Sequence, residues 1–193
     1  SFPPDMPGYG SKFWSERTPL NRRTTYPAAK GALTADAVII GGGLTGATAA
    51  VLFAQAGLKV VLVEAGRIAS GGTAGSLGAI VPEPDARFSH VVTACGRRAA
   101  REAWRQSVSG TRELASLLTR EKIACDLRPA PFWTHAASAE TAAGLRREQA
   151  SRRESAVTSA WTAGGVVASD LGMPASGALK SSGFTLDPVR ATL

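Results

Sequence analysis

The sequence predicts an α/β fold built on a parallel sheet, and three observations predict it. Two β-branched runs, Ala37–Ile40 and Lys59–Val63, are apolar nearly throughout instead of alternating, the pattern of parallel strands covered on both faces. Between them lie a glycine turn (Gly41, Gly42, Gly43) and an Ala-rich stretch from Leu44 to Ala56 that reads as a helix. Strand, turn, helix and strand make a βαβ unit. The chain has 193 residues, 44% of them hydrophobic, which is enough for a sizeable core and unlike a collagenous or disordered chain.

The elements follow in order. Residues 1–35 hold Pro3, Pro4, Pro7, Pro19 and Pro27 among Phe2, Tyr9, Phe13, Trp14 and Tyr26, so no long regular element is predicted there. Burial of those aromatics would offset the cost of ordering the segment, which reads as an N-terminal arm strapped across the body. Residues 36–96 carry the βαβ unit, followed by Ala65–Gly78, a loop of Gly, Ser, Thr and Ala suited to lying against a ligand or another backbone. Residues 97–180 read as a helical and mixed α+β portion. One long helix or two cover 86–122, with Trp104, Val108, Leu114, Leu117, Leu118 and Ile123 as the apolar stripe and Gly110 as the break. Cys125–His135 reads as an edge strand because of Pro129 and Pro131, Glu140–Ser155 as a polar helix, and Val166-Val167 as a short apolar segment. Gly172–Gly183 reads as small and flexible. Residues 181–193 contain Leu186-Asp187-Pro188-Val189-Arg190, a helix start with Asp as N-cap and Pro at the first helical position.

The formal charge of +7 is local, since residues 97–153 hold 12 of the 22 Lys and Arg against 6 Asp and Glu. Those arginines recur with Ala and Glu at helical spacing and without interleaved aromatics, so they read as a solvated helix face and predict no nucleic-acid partner. Charged residues are only 19% of the chain, below the roughly 25% of an average domain, which leaves surface for a partner. Cys95 and Cys125 form neither a CxxC pair nor a disulfide framework, and with only His90 and His135 beside them no metal site is predicted. No acid, base or nucleophile constellation stands out, and catalytic residues stay unassigned. The uncharged run Ala37–Leu58 is broken by glycines and is no membrane span, and the first residues carry no leader pattern. A cytoplasmic protein in a reducing compartment is the expectation.

Gly41-x-Gly43-x-x-Gly46 stands between the first strand and the helix, and Glu64 closes the second strand. That is the Rossmann dinucleotide fingerprint in its full context. Gly41 permits the tight turn, Gly43 lets a pyrophosphate approach the backbone, and Gly46 with Ala50 lets the helix lie close to the sheet. Phosphate would meet free N–H groups at the positive end of the helix dipole. Glu64 would accept from the two hydroxyls of the adenosine ribose.

The loop after Glu64 narrows the choice of dinucleotide. Ser70-Gly71-Gly72-Thr73-Ala74-Gly75-Ser76-Leu77-Gly78 resembles the S-G-x-S-G-x-N-x-G loop of the D-amino-acid-oxidase-like flavoproteins, the superfamily of glycine and sarcosine oxidase. Thr73 stands for the second Ser, Ala74 for a Gly and Ser76 for the Asn. Arg67, the Trp14 lead and Phe184-x-Leu186-Asp187-Pro188-x-Arg190 are similar to that family as well. The resemblance implies FAD as cofactor, with Gly41, Gly43, Leu44, Thr45 and Gly46 at the pyrophosphate, Glu64 at the ribose and Ala65 among the cofactor-binding residues. Arg67, Ser70, Gly71, Gly72, Thr73 and Ala74 would line the phosphate and flavin approach. It also implies hydride transfer to the flavin from the carbon bearing the amine of a small-molecule amine or amino acid. Family members are longer, so the chain resembles an N-terminal half, its FAD-binding sheet and its mixed α+β substrate domain completed by a C-terminal chain or fragment.

Two other functions stay open on the residues alone. One is a non-catalytic FAD-binding or scaffold subunit, separated from an enzyme by whether yellow protein bleaches on adding an amine. The other is an NAD-binding Rossmann module, which would need a helix and not a Gly/Ser/Thr loop directly after Glu64.

Overall fold

The computed structural model describes residues 12–19, 21, 23–84, 86–154 and 159–193. Phe2, Pro3, Pro4, Pro7 and Tyr9 of the predicted arm, and Ser155, lie outside the described residues. The chain divides into two compact units.

The first unit gathers the described residues up to Gly78 with Leu118–Leu127 and Leu186–Leu193. It holds α1 (Phe13–Arg17), β1 (Ala37–Ile40), α2 (Leu44–Gln55) and β2 (Val60–Val63). The two strands pair in parallel, Ala37 opposite Val60 and Ile40 opposite Val63, and the Gly41 amide extends the ladder by donating to Val63 O at 2.8 Å. Helix α2 makes the crossover and stops before Gly57, whose φ of 85° is open to glycine and costly for other residues. The expected burial on both sheet faces is not what this unit shows. Ile39 lies toward Gly46 of α2, but Val38 and Ile40 point the other way and are 62% and 88% exposed. A two-stranded sheet with one crossover helix has cover for one face only. The unit's buried cluster is Ala69, Ala74 and Val189, with Trp14 and Ile68 packed against it. Asp187 caps as its sequence position predicts, Oδ1 accepting from the Val189 and Arg190 amides at 3.0 and 3.1 Å. The residues after it form turns, with no helix assigned.

The second unit comprises Ala79–Leu117 and Arg128–Thr185. Its elements are β3 (Ala79–Ile80), most of α3 (Phe88–Arg120), β4 (Arg128–Ala136), α4 (Ala139–Glu154), β5 (Ala160–Ala163), α5 (Gly164–Leu171) and β6 (Gly177–Thr185). Strand β6 is central and pairs antiparallel with β4, β3 and β5. From Gly177 on, the stretch read as flexible is thus part of the strand on which the sheet is assembled. Its small residues make room for neighbouring rings: a Cβ on Gly183 would stand 2.9 Å from the Phe132 ring, and one on Gly177 would strike Trp161. Among the described residues β4 pairs with β6 alone, which makes it the edge that Pro129 and Pro131 require, although it starts at Arg128 and not at Cys125. Helix α3 breaks at Gly96 (φ 82°, ψ 160°) and not at Gly110, which stays helical. Glycine is tolerated inside a helix at a cost of about 1 kcal/mol, so composition could not rank the two sites.

Ala136, Ala142, Leu145 and Leu179 pack with Trp161 between α4 and the sheet, while Phe88 and Trp104 meet edge to face at 5.1 Å. Beneath them Glu148 and Arg152 are buried as a pair, Arg152 Nε donating to Glu148 Oε1 at 2.9 Å and Nη1 lying 2.9 Å from Glu83. Glu148 also accepts from the Phe88 and Ser89 amides and the Ser89 hydroxyl at 2.6, 3.1 and 2.7 Å, which caps α3. Burial by itself raises the pKa of this carboxyl, but the Ser89, Arg152 and Phe88 hydrogen bonds outweigh it and hold the group below the ordinary Glu value.

Candidate dinucleotide site

In the first unit β1 runs into Gly41, whose φ of 107° turns the chain sharply, and Gly43 then serves as the extended N-cap residue of α2. The spacing of the glycines has separable causes. A Cβ on Gly46 would strike Gly41 O, so residue 46 sets the approach of helix to turn. A Cβ on Gly43 would stand 2.9 Å from Thr73 Oγ1, so residue 43 sets the approach of the loop. At Gly42, the unassigned position inside the fingerprint, a Cβ would meet the tip of the Ile68 side chain and stand 3.1 Å from Glu64 Cβ, so both would have to shift for a side chain there.

Glu64 follows β2 and folds back onto that turn. Oε2 accepts from the Gly42 amide at 2.7 Å and Oε1 from the Gly66 amide at 2.8 Å. The Gly42 bond, then the Gly66 bond, hold its carboxyl below the ordinary range, so Glu64 is an anion at neutral pH. Its other lone pairs remain available as acceptors.

The loop reaches the turn from the other side. Ala69 N donates to Gly42 O at 2.8 Å, and the Leu44 amide donates to Thr73 Oγ1 at 3.0 Å at the first turn of α2. Having accepted there, the Thr73 hydroxyl can still donate its own proton. Among the described residues the amides of Gly43, Thr45 and Gly46 have no acceptor, which leaves N–H groups of the first turn open at the positive end of the helix. A diphosphate fits this cradle, which has glycine walls, free amides and a hydroxyl.

The site residues read from the sequence thus fall into three groups. Gly41, Gly43, Leu44, Thr45, Gly46, Glu64 and Thr73 are drawn together around the turn. Ser70 closes a turn that starts at Arg67, its N and Oγ both donating to Arg67 O, and Gly71 leads into a second turn that Gly72 opens, with Gly75 N donating to Gly72 O. Ala74 is buried in the apolar cluster, whereas Ala65 and Arg67 are exposed. Gly42, Ile68 and Lys12 are additions. Gly42 was legible as a third consecutive glycine, but Lys12 gave no local signal. Among the described residues no three or more His, Cys, Asp or Glu side chains gather to hold a metal, and no helix is long and apolar enough to cross a membrane.

Comparison with known proteins agrees with this geometry. Residues 36–193 match the family model described as FAD dependent oxidoreductase. Gamma-glutamylputrescine oxidoreductase of Escherichia coli (strain K12) is 28% identical over 109 residues, which cover 56% of this chain and 26% of that protein. The glycine oxidase of Bacillus cereus ATCC 14579 superposes with a TM-score of 0.58 at 21% identity, over 82% of this chain and 42% of that one. An L-alpha-glycerophosphate oxidase from Mycoplasma pneumoniae, described with FAD bound, gives 0.60 at 20% identity over 83% and 41%. The chain therefore spans about a quarter of that curated relative and about two fifths of those two structures.

Proposed function

Because the chain belongs to the family of FAD dependent oxidoreductases, we propose that it supplies the FAD-binding part of an enzyme that oxidises an amine or amino acid. The observation that carries the reading is the turn at the start of α2, where glycine walls and free amides face a carboxylate already fixed at the end of β2. When bound, FAD would supply hydride acceptance from the carbon bearing the amine.

This chain's residues would bind and orient it. The Gly43, Thr45 and Gly46 amides would hold pyrophosphate oxygens by charge-assisted hydrogen bonds, the Thr73 hydroxyl would add a donor, and Glu64 would accept from the ribose hydroxyls. Two backbone donors fix Glu64 in advance, so little side-chain entropy remains to be lost on binding. Ser70, Gly71 and Gly72 would border the approach to the flavin, and Arg67 would stand near the adenosine. The substrate is proposed from the amine-oxidising relatives, and the residues that hold it are proposed to lie in the part of such proteins that this chain does not span. A complementary polypeptide segment is the partner this reading requires.

The test is direct. Protein purified together with the complementary segment, then denatured and filtered, should release FAD in stoichiometric amount, and that native yellow complex should bleach anaerobically on adding its amine. A colourless protein that gains no flavin absorbance on incubation with FAD would remove the cofactor from the reading. A yellow protein that no amine bleaches would leave a scaffold.

A further inference from the structure

Helix α1 is too short to be stable by itself, yet Lys12 at its start and Trp14 and Arg17 on it are all engaged. Lys12 Nζ donates to Ser70 O at 2.8 Å and lies 3.5 Å from Gly71 O. Trp14 Nε1 donates to Ser76 O at 2.8 Å, and its ring fills the space a Cβ on Gly78 would need. Arg17 closes the other end, pairing with Asp126 at 3.0 Å and lying 5.8 Å from the Trp14 ring centroid. Both bonds from Lys12 and Trp14 land on carbonyls of the 70–78 loop, on either side of Thr73. Thr73 is the loop residue that meets the first turn of α2.

We propose that Lys12 and Trp14 are positioning residues for the dinucleotide: they fasten the 70–78 loop at both ends of its Thr73 contact and so hold the cofactor cradle closed. The proposal rests on the FAD reading for its ligand but not for its mechanism, since the strap and the loop meet in the protein alone. Loop opening and cofactor release then become one motion. Because the strap touches the loop and not the turn, it acts chiefly on the dissociation rate. Glu64 and the α2 amides would keep their places when it lifts.

Three variants of the full chain test this, with hydrogen exchange of the 70–78 amides in cofactor-free protein and the FAD dissociation rate as paired readouts. Trp14→Phe keeps most of the ring and removes the indole donor. Lys12→Met keeps the stem and removes the ammonium, and Lys12→Arg restores a donor. The first two should speed exchange in the loop and FAD release by about fivefold to tenfold each, the effect of one hydrogen bond. Lys12→Arg should return both towards the starting values, and amides of β1 and β2 should exchange as before. Unchanged loop exchange in both variants would overturn the strap. Faster exchange with unchanged FAD release would overturn its role in holding the cofactor. Failure of the unaltered protein to bind FAD would overturn the FAD reading and the cofactor role together, while the exchange result would still decide whether the strap holds the loop.

Discussion

Glu64 and Glu148 are both carboxylates held below the ordinary Glu pKa, and the two units use them differently. Glu148 is buried to 2% exposure and saturated, taking hydrogen bonds from Phe88, Ser89 and Arg152. Glu64 is exposed, takes two backbone amides and has acceptor capacity left over. The same contrast holds for apolar surface, since Leu145 and Leu179 close on each other in the second unit while Val38 and Ile40 of the first stand open. Glu148 spends its acceptors inside its own unit, and Glu64 holds acceptors ready for something its unit does not contain. Substitutions in the first unit should therefore change binding, and those in the second should change stability.

The largest effect should come from Gly46→Val. A branched side chain there meets Gly41 O and Ile39, so α2 must move off the turn and the free amides lose their common direction. FAD retention should fall to nothing in an absorbance assay of purified protein. Stoichiometric flavin in this variant would show that the turn is not the cradle.

Next in size is Glu148→Ala. It leaves Arg152 buried with Glu83 alone and uncaps α3, a loss of about 3–5 kcal/mol by comparison with other broken buried pairs. Denaturant unfolding should report that loss while the FAD affinity of the folded fraction stays within twofold. Acid sharpens the same contrast. A carboxyl whose folded pKa is depressed stabilises fully above its unfolded value, about 4.3, and loses that contribution as pH falls through the folded value. The second unit should thus lose this contribution to stability in that acid window, and Glu148→Gln should flatten the dependence. An unaltered acid slope in Glu148→Gln would place the titration elsewhere.

How much of this was legible follows from where each signal resides. Gly41, Gly43, Gly46 and Glu64 could be read because each answers a local demand within one βαβ unit. Asp187 could be read because a cap acts within three residues. Strand β6 could not, because its packing lies in the rings of Phe132 and Trp161 and its own residues show no alternation of large and small. Lys12 could not, because its acceptors are carbonyls, which any sequence provides. The exposure of Ile40 was hidden for a different reason: an apolar run says that a strand is to be covered, not which polypeptide covers it.

Glu64 tests the binding side of the contrast at smaller scale. Glu64→Ala should weaken FAD by on the order of 1–3 kcal/mol, because ribose hydroxyls lose their acceptor and the Gly42 and Gly66 amides lose theirs. Glu64→Gln should lose less, since the amide oxygen still accepts one bond. Equal titration curves for the two variants would detach Glu64 from the ribose. Neither change should depend on pH near neutrality, because the carboxyl is fully ionised there.

The smallest effect is also the most discriminating, because it sets two neighbours on one strand against each other. Ile39 lies toward α2 and Ile40 points away at 88% exposure, although both are isoleucines in the same ladder. Ile39→Ala should cost this chain about 1–2 kcal/mol for a partly buried side chain. Ile40→Ser should cost no more than about 0.5 kcal/mol, as for an exposed site away from any special feature. In a polypeptide as long as the solved relatives the order should change: once Ile40 is covered, Ile40→Ser would remove apolar burial and leave a hydroxyl in its place, and its cost should rise to at least that of Ile39→Ala. Thermal unfolding of both variants in the two contexts reads the difference. An Ile40 that stays neutral in the longer polypeptide would mean that this face of β1 is solvent-facing by design, and that the open groups of the first unit serve the cofactor alone.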